Sequence, residues 1–150
     1  MPAASTHACA SQPQQLATFM VGDLLFGIPV AEVQEVIRFQ ALTTVPLASP
    51  VVRGLLNLRG QIITAIDMRR RLSIANPSPD DETMNVIVDF DEQRVSLLVD
   101  SVGDVLELSK ESFEPTPATV TGELRTVCRG VHKLANKLLL VLDTETALHV

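Results

Sequence analysis

The chain has 150 residues, 46% of them hydrophobic, and a formal net charge of −6 at pH 7. That length suits one domain, or two small units sharing a core, and the acidity argues against nucleic acid and against an anionic membrane surface, both of which are gripped by Lys and Arg. No apolar run reaches the ~18–20 residues needed to span a bilayer, and no basic stretch followed by an apolar one marks a signal peptide.

With five Phe and no Trp or Tyr, the core has to be built from Val, Leu and Ile, and the β-branched members favour strands. Met1–Gln15 is a run of small and polar residues that cannot bury enough surface to fold, so residues 1–15 read as a disordered tail and order begins near Leu16. Leu16–Val21 and Leu24–Val30 are apolar runs joined by Gly22-Asp23, a two-residue hairpin turn. Pro29 ends or edges the second strand. Val30, Val33, Val36 and Ile37 follow at helical spacing, enough for one or two turns that can run into another strand. Thr43–Pro46 is a short extended piece. Ser49-Pro50 reads as a helix start, with Gly54 as its stop.

Arg53–Asp67 is the organising stretch. Strand Gly54–Leu58, a turn at Arg59-Gly60 and strand Gln61–Ile66 make a tight hairpin, with Gly60 the natural site of a positive φ. Asp67 caps a short helix that begins at Met68. Ile74–Thr83 reads as a solvated surface loop despite its acidic run, because the alternating oxygen ligands and central Gly of a calcium loop are missing. Met84–Phe90 and Arg94–Val99 form a further hairpin across Asp91-Glu92-Gln93, continued by Val102, Val105, Leu106 and Leu108. Ser109–Arg125 is loop-like. Arg129–Leu134 and Leu138–Leu142 form the last hairpin, and Asp143 caps a terminal helix.

The chain repeats itself. Arg53, Gly54, Leu58, Asp67 and Leu72 align with Arg129, Gly130, Leu134, Asp143 and Leu148, and the turn residue Gly60 aligns with Asn136. Upstream, Val21-Gly22-Asp23 aligns with Phe90-Asp91-Glu92, and Val33, Glu35 and Val36 with Val102, Asp104 and Val105. Turns, caps and apolar faces agree, as in a true repeat. Two β-rich units follow, about 16–75 and 84–150 within one domain at 16–150, each a small barrel that closes its own strand edges.

Catalytic chemistry finds no foothold. His7, His132 and His149 do not cluster with Cys or acid at metal-ligand spacing, and His132, beside Lys133 in a strand pattern, reads as surface or interface. Phosphate-binding glycine loops and a nucleophile elbow are absent. Asp67, Asp100 and Asp143 sit directly after apolar runs, where capping and turn roles explain them. Cys9 and Cys128 read as free thiols of a reducing cytoplasm. Arg59, at a hairpin tip, reads either as a solvated side chain or as a salt bridge or bidentate contact to a partner carboxylate. The apolar residues Val33, Val36, Val102 and Val105 read either as core or as the lining of a groove that takes an amphipathic helix. A small-molecule-binding barrel is a further reading, against which stands the small size of such barrels.

Arg53-Gly54, Asn57-Leu58-Arg59-Gly60-Gln61-Ile62 and Ile66-Asp67-Met68-Arg69 together resemble the signature of the CheW family of bacterial chemotaxis coupling proteins. Phe26–Val30 with Val33-Gln34-Glu35-Val36, and Leu98–Leu106, extend the resemblance over roughly 16–148. Ala65, Met68 and Ser96 depart from the Pro, Leu and Gly common in that family. The resemblance implies a mainly β fold of two SH3-like five-stranded β-barrel subdomains with short helices. It implies a non-enzymatic adaptor, without cofactor or metal, that joins the cytoplasmic tip of a chemoreceptor to the regulatory domain of a CheA-type histidine kinase. Such a protein is cytoplasmic and recruited to a membrane-associated array without inserting in the membrane. A paralogue serving a surface-motility or biofilm pathway reads the same. Carried over by position, Val33, Glu35, Arg59, Val102 and Val105 form the receptor-facing set, and Gly54 is the candidate kinase contact.

Overall fold

A computed structural model of the chain describes residues 13–74, 83–90 and 92–148. Eleven strands run through these residues: β1 (Gln14–Val21), β2 (Leu24–Pro29), β3 (Val33–Arg38), β4 (Val52–Leu58), β5 (Gln61–Asp67), β6 (Met84–Phe90), β7 (Gln93–Val99), β8 (Ser101–Leu108), β9 (Phe113–Glu114), β10 (Cys128–Lys133) and β11 (Leu138–Leu142). Short helices α1 (Met68–Arg71), α2 (Gly122–Thr126) and α3 (Thr144–Leu148) and the 3-10 turns Val30–Glu32 and Lys110–Ser112 complete it.

The strands form two sheets, of order β8-β1-β2-β11-β10-β9 and β3-β6-β7-β5-β4. Residues matched by the sequence repeat hold matching register in the two. Val33↔Val88 in one ladder answers Val102↔Phe19 in the other, and Ile37↔Asn85 answers Leu106↔Leu16. The parallel pairs Thr64↔Val95 and Leu140↔Phe26 correspond, as do the bulges at Val52/Gly54 and Cys128/Gly130. The bridge Thr43↔Leu55 stands where β9 pairs Glu114 with Val131. Neither unit folds on itself, as a barrel per unit requires. The hairpin β1–β2 lies between β8 and β11, and the hairpin β6–β7 lies between β3 and β5, so each sheet takes strands from both units.

Each sheet is rolled. A flat six-stranded sheet separates its edge strands by about 24 Å at ~4.8 Å per strand. Only Ser109–Ser112 connects β8 to β9 at its opposite edges, and five residue steps reach about 18 Å at most. The edges therefore curl toward each other, in keeping with two SH3-like units.

Rolling lets the central strands bury residues on both faces. Among the described residues, seventeen buried hydrophobic residues form the shared core, among them Phe19, Phe26, Ile66, Met68, Val86, Leu97, Val131 and Leu140. Each sheet also has a small core of its own: Leu56, Ile63, Ala65, Ile87 and Leu98 in one, and Leu16, Leu139 and Val141 in the other. Phe19 and Phe26 stack at 5.7 Å in the shared core. At about 1.5–3 kcal/mol for each fully buried large apolar side chain, most of the hydrophobic stabilisation lies between the sheets.

Polar ties cross the same boundary. Arg69 of α1 donates to Asp100, at the β7–β8 junction, with Nε to Oδ1 at 2.8 Å and Nη2 to Oδ2 at 2.5 Å, and Asp100 also takes the Gly22 N–H at 2.7 Å. Arg71 donates to the carbonyls of Ala147 and Thr146, each at 3.1 Å, and pairs with Glu123.

The expected hairpins form at β1–β2, β4–β5, β6–β7 and β10–β11, and Asp67 caps α1 by accepting from the N–H groups of Arg69 and Arg70. Other expectations are corrected. The helix expected at Ser49-Pro50 does not form: Val52 N–H donates to Ser49 O at 2.9 Å in one turn, and β4 begins at Val52 because the sheet offers the β-branched residues a full ladder. Val30–Ile37 makes one 3-10 turn before β3. Loop-like 109–125 includes β9 and most of α2. Asn136 is not among the positive-φ residues, whereas Arg59 and Gly60 both are, at 53° and 85°. Gln14 and Gln15, assigned to the tail, belong to β1, while 1–12 and the acidic stretch 75–82 lie outside the described residues. His132, read as surface or interface, is 1% exposed.

Asp100→Ala removes an inter-sheet ion pair and a backbone acceptor together. It is expected to lower unfolding free energy by about 2–3 kcal/mol in urea denaturation, with an unchanged m-value.

Candidate functional site

The β4–β5 turn places Arg59 at the end of the second sheet. Two consecutive positive φ angles make the turn suit the right-handed twist of its strands, and the Asn57 side chain fixes it by accepting the Gly60 N–H at 3.0 Å. From there the guanidinium reaches Glu35 on β3 in a bidentate pair, Nη1 to Oε1 at 2.6 Å and Nη2 to Oε2 at 3.0 Å. β3 and β4 are the two edges of this sheet, so the pair fastens edge to edge across the roll. The Arg59 hydrogen bond holds the Glu35 carboxyl below the usual carboxylate range, and the same bond raises Arg59. Arg59 remains 71% exposed in its side chain, so a partner can still reach it.

Around this pair lies a band of polar and apolar groups. Gln34 donates to Asp89, Arg94 Nε lies 3.3 Å from Asp89 Oδ1, and Arg94 Nη1 donates to Gln61 at 2.9 Å. An open hollow of about 650 Å³ is lined by Gln61, Ile62, Ile63, Asp89, Glu92 and Arg94. Ile62 is 64% exposed at its rim, and Val36 on β3 is 38% exposed. The sequence reading passed over Ile62, Asp89 and Arg94. Two signals were available: strand alternation turns one of Ile62 and Ile63 outward, and the β6–β7 register sets Asp89 opposite Arg94.

Of the expected set, the structure brings Glu35 and Arg59 into contact. Val33, two residues before Glu35 on β3, is half-buried against the shared core. Val102 and Val105 lie exposed on β8, the edge of the other sheet, and no ladder joins β8 to β3. Gly54 is buried. A Cβ there would lie 2.7 Å from the Thr43 carbonyl oxygen, so the glycine lets the extended segment at Thr43 lie close against β4. Asp67, with Arg53 at 3.1 Å, and Asp143, with the Thr146 N–H at 3.3 Å, serve as caps. No helix of the described residues is long and apolar enough to cross a membrane.

The CheW-like domain profile matches residues 15–150. The chain belongs to the CheW-like domain family. It is 29% identical over 135 residues to the chemotaxis protein CheW of Klebsiella aerogenes, covering 90% of this chain and 81% of that one. It is 30% identical over 133 residues to CheW of Treponema pallidum, covering 86% and 78%. A crystal structure of the scaffolding protein TtCheW from Thermoanaerobacter tengcongensis superposes with a TM-score of 0.84 at 27% identity, covering 93% of this chain and 94% of that one. The fold and the relatives thus group this CheW-like chain with chemotaxis scaffolds.

Its departures from the family pattern are absorbed by packing. Ala65 is buried between Gly54 and Ser96, and Met68 is fully buried in the shared core. The buried Ser96 hydroxyl donates to Asn85 at 2.6 Å.

Because Arg59 lowers the Glu35 pKa, the pair persists into mildly acidic solution and is lost as pH falls through the depressed value. Arg59→Ala is expected to move the Glu35 titration upward, read from its carboxyl carbon chemical shift by NMR. Gly54→Ala is expected to cost about 2 kcal/mol in chemical denaturation, because backbone on the Thr43 side has to give way.

Proposed function

We propose that this chain is a non-enzymatic, cytoplasmic adaptor that couples the cytoplasmic tip of a chemoreceptor to a CheA-type histidine kinase in a membrane-associated array. The family match over 15–150 carries the proposal. The site supports it: a rigid bidentate pair among exposed apolar residues suits recognition, since charge fixes register and apolar groups supply most of the affinity.

The receptor face comprises Val33, Glu35, Arg59, Val102 and Val105. A receptor helix laid there meets the exposed valines with its apolar side and Arg59 with a carboxylate or a helix C-terminal carbonyl. The kinase face lies at the β4–β5 end, where Ile62 stands out and Gly54 shapes β4 from beneath. The repeat supports this assignment. In the first sheet the counterpart residues Leu25 and Leu138 line a smaller hollow of about 220 Å³ together with Val120 and Leu124. In the second sheet the hollow at Ile62 is larger, about 650 Å³, and Ile62 is 64% exposed, so a partner with a short apolar turn would fit it. Each contact alone is weak, and many copies in one array make binding firm through effective concentration.

The test is co-sedimentation of the chain with a receptor cytoplasmic fragment and the CheA-type kinase of the same genome, with kinase autophosphorylation read in parallel. The native chain is expected to join both and to change kinase activity. Arg59→Ala is expected to stay folded and to weaken receptor co-sedimentation about tenfold, and Ile62→Asp to weaken kinase binding while sparing the receptor. Native binding by both folded variants refutes the assignment of faces. A folded native chain that joins neither partner refutes the coupling role.

A further inference from the structure

His132 sits at the β10 position that matches Leu56 of β4, inside the small core of the first sheet. Its cross-strand neighbours are Leu139 on β11 and Phe113 on β9. The ring is 1% exposed and meets the Phe113 ring edge-on at 5.6 Å. Its Nδ1 lies 2.8 Å from Ser112 Oγ, while Nε2 is buried with no hydrogen-bond partner among the described residues.

The hydrogen bonds favour one tautomer. Ser112 Oγ has one hydrogen and lies 2.8 Å from the Ser109 carbonyl, which can only accept. The hydroxyl hydrogen therefore goes to Ser109, and Ser112 Oγ accepts from His132 Nδ1–H. Nε2 is left with a bare lone pair in an apolar pocket. A second proton could go only there, creating a buried N–H and a full charge with no acceptor.

Charges on the surrounding elements do not compensate. β1, β2 and β11 carry none. Lys133 of β10 pairs with Glu114 of β9 at 3.4 Å, and Arg129 of β10 is exposed. Lys110 and Glu111 lie on the exposed 3-10 turn, and Asp104 and Glu107 on the exposed strand β8. In α2, Glu123 pairs with Arg71, and Arg125 donates to the carbonyls of Pro117 and Val120. Burial is the one cause of perturbation, and it pushes the imidazole below its ordinary value.

We propose that His132 is a pH-sensitive pin for the segment 109–114, which stays docked on β10 while the ring is neutral and releases when the ring takes a second proton. Ser112 anchors the 3-10 turn to the ring, and the rest of the segment is held by the two-residue ladder of β9 and the exposed Lys133–Glu114 pair. It also lies close on Gly130, where a Cβ would come within 2.6 Å of the Glu114 carbonyl oxygen. Release bares the outer edge of β10, a row of backbone groups open to strand addition.

The docked state excludes the proton and the released state accepts it near the ordinary value of 6.5. Docking is therefore at full strength above that pH and weakens as pH falls below it. Between pH 7.5 and 5.5 the opening equilibrium should rise about tenfold. Hydrogen exchange of the whole chain, corrected for the intrinsic pH dependence of exchange, is expected to show that rise in 109–114 and 130–133, and no such rise in His132→Leu. A native chain without the rise, or a His132→Leu chain with the same rise, overturns the proposal. Nitrogen NMR of the native ring provides an independent check. The Nδ1–H tautomer should persist below pH 6, and a ring that titrates at or above 6.5 in the folded protein also overturns it.

Discussion

Each hairpin that begins a repeat unit finds its ladder partners in the other unit: β1–β2 lies between β8 and β11, and β6–β7 between β3 and β5. The two repeat units therefore cannot separate without breaking strand pairs in both sheets. Because every exchanged strand has one face toward the opposite sheet, the largest core lies between them, and the smaller cores inside the rolls contain few residues. Arg69–Asp100 and the Arg71 contacts to α2 and α3 lie across the same boundary, where partial burial strengthens them relative to surface pairs.

The end of the second sheet that contains Arg59 and Glu35 is shaped by this arrangement. Arg59 and Glu35 are neighbours because the second sheet is rolled until its edge strands approach, and their bidentate contact then fastens those edges. The pair thus sets the shape of the surface proposed for recognition. Its carboxylate is satisfied internally while the guanidinium stays exposed, as do Val36 and Ile62. An apolar surface with fixed charges suits docking, since neither loop ordering nor rotamer freezing has to precede contact.

Local chemistry made the hairpins legible. Gly22, Gly60 and the cap at Asp67 act over two or three residues, and the structure places all three as read. The repeat was legible because both units solve the same local problem with the same turns and bulges. The error at Ser49-Pro50 came from trusting a helix-start signal where β-branched Val51 and Val52 had a sheet to join. The error at His132 came from its neighbour Lys133: alternation along β10 sends one inward and one outward, and residue type alone suggested that neither was core. Glu35 and Arg59 were each singled out, but nothing in their spacing shows that they touch.

The amino-acid sequence by itself determined the strands, their turns, the family and the residues that carry charge at the hairpin tip, because these follow from short-range sterics and from patterns a few residues long. Only the tertiary structure decided which unit each hairpin joins, that Arg59 grips Glu35, that Gly54 is buried while Ile62 is bare, and that a histidine occupies a core position. Those outcomes depend on contacts between residues far apart in the chain, where strand order and the roll of a sheet, rather than local preference, set which groups meet.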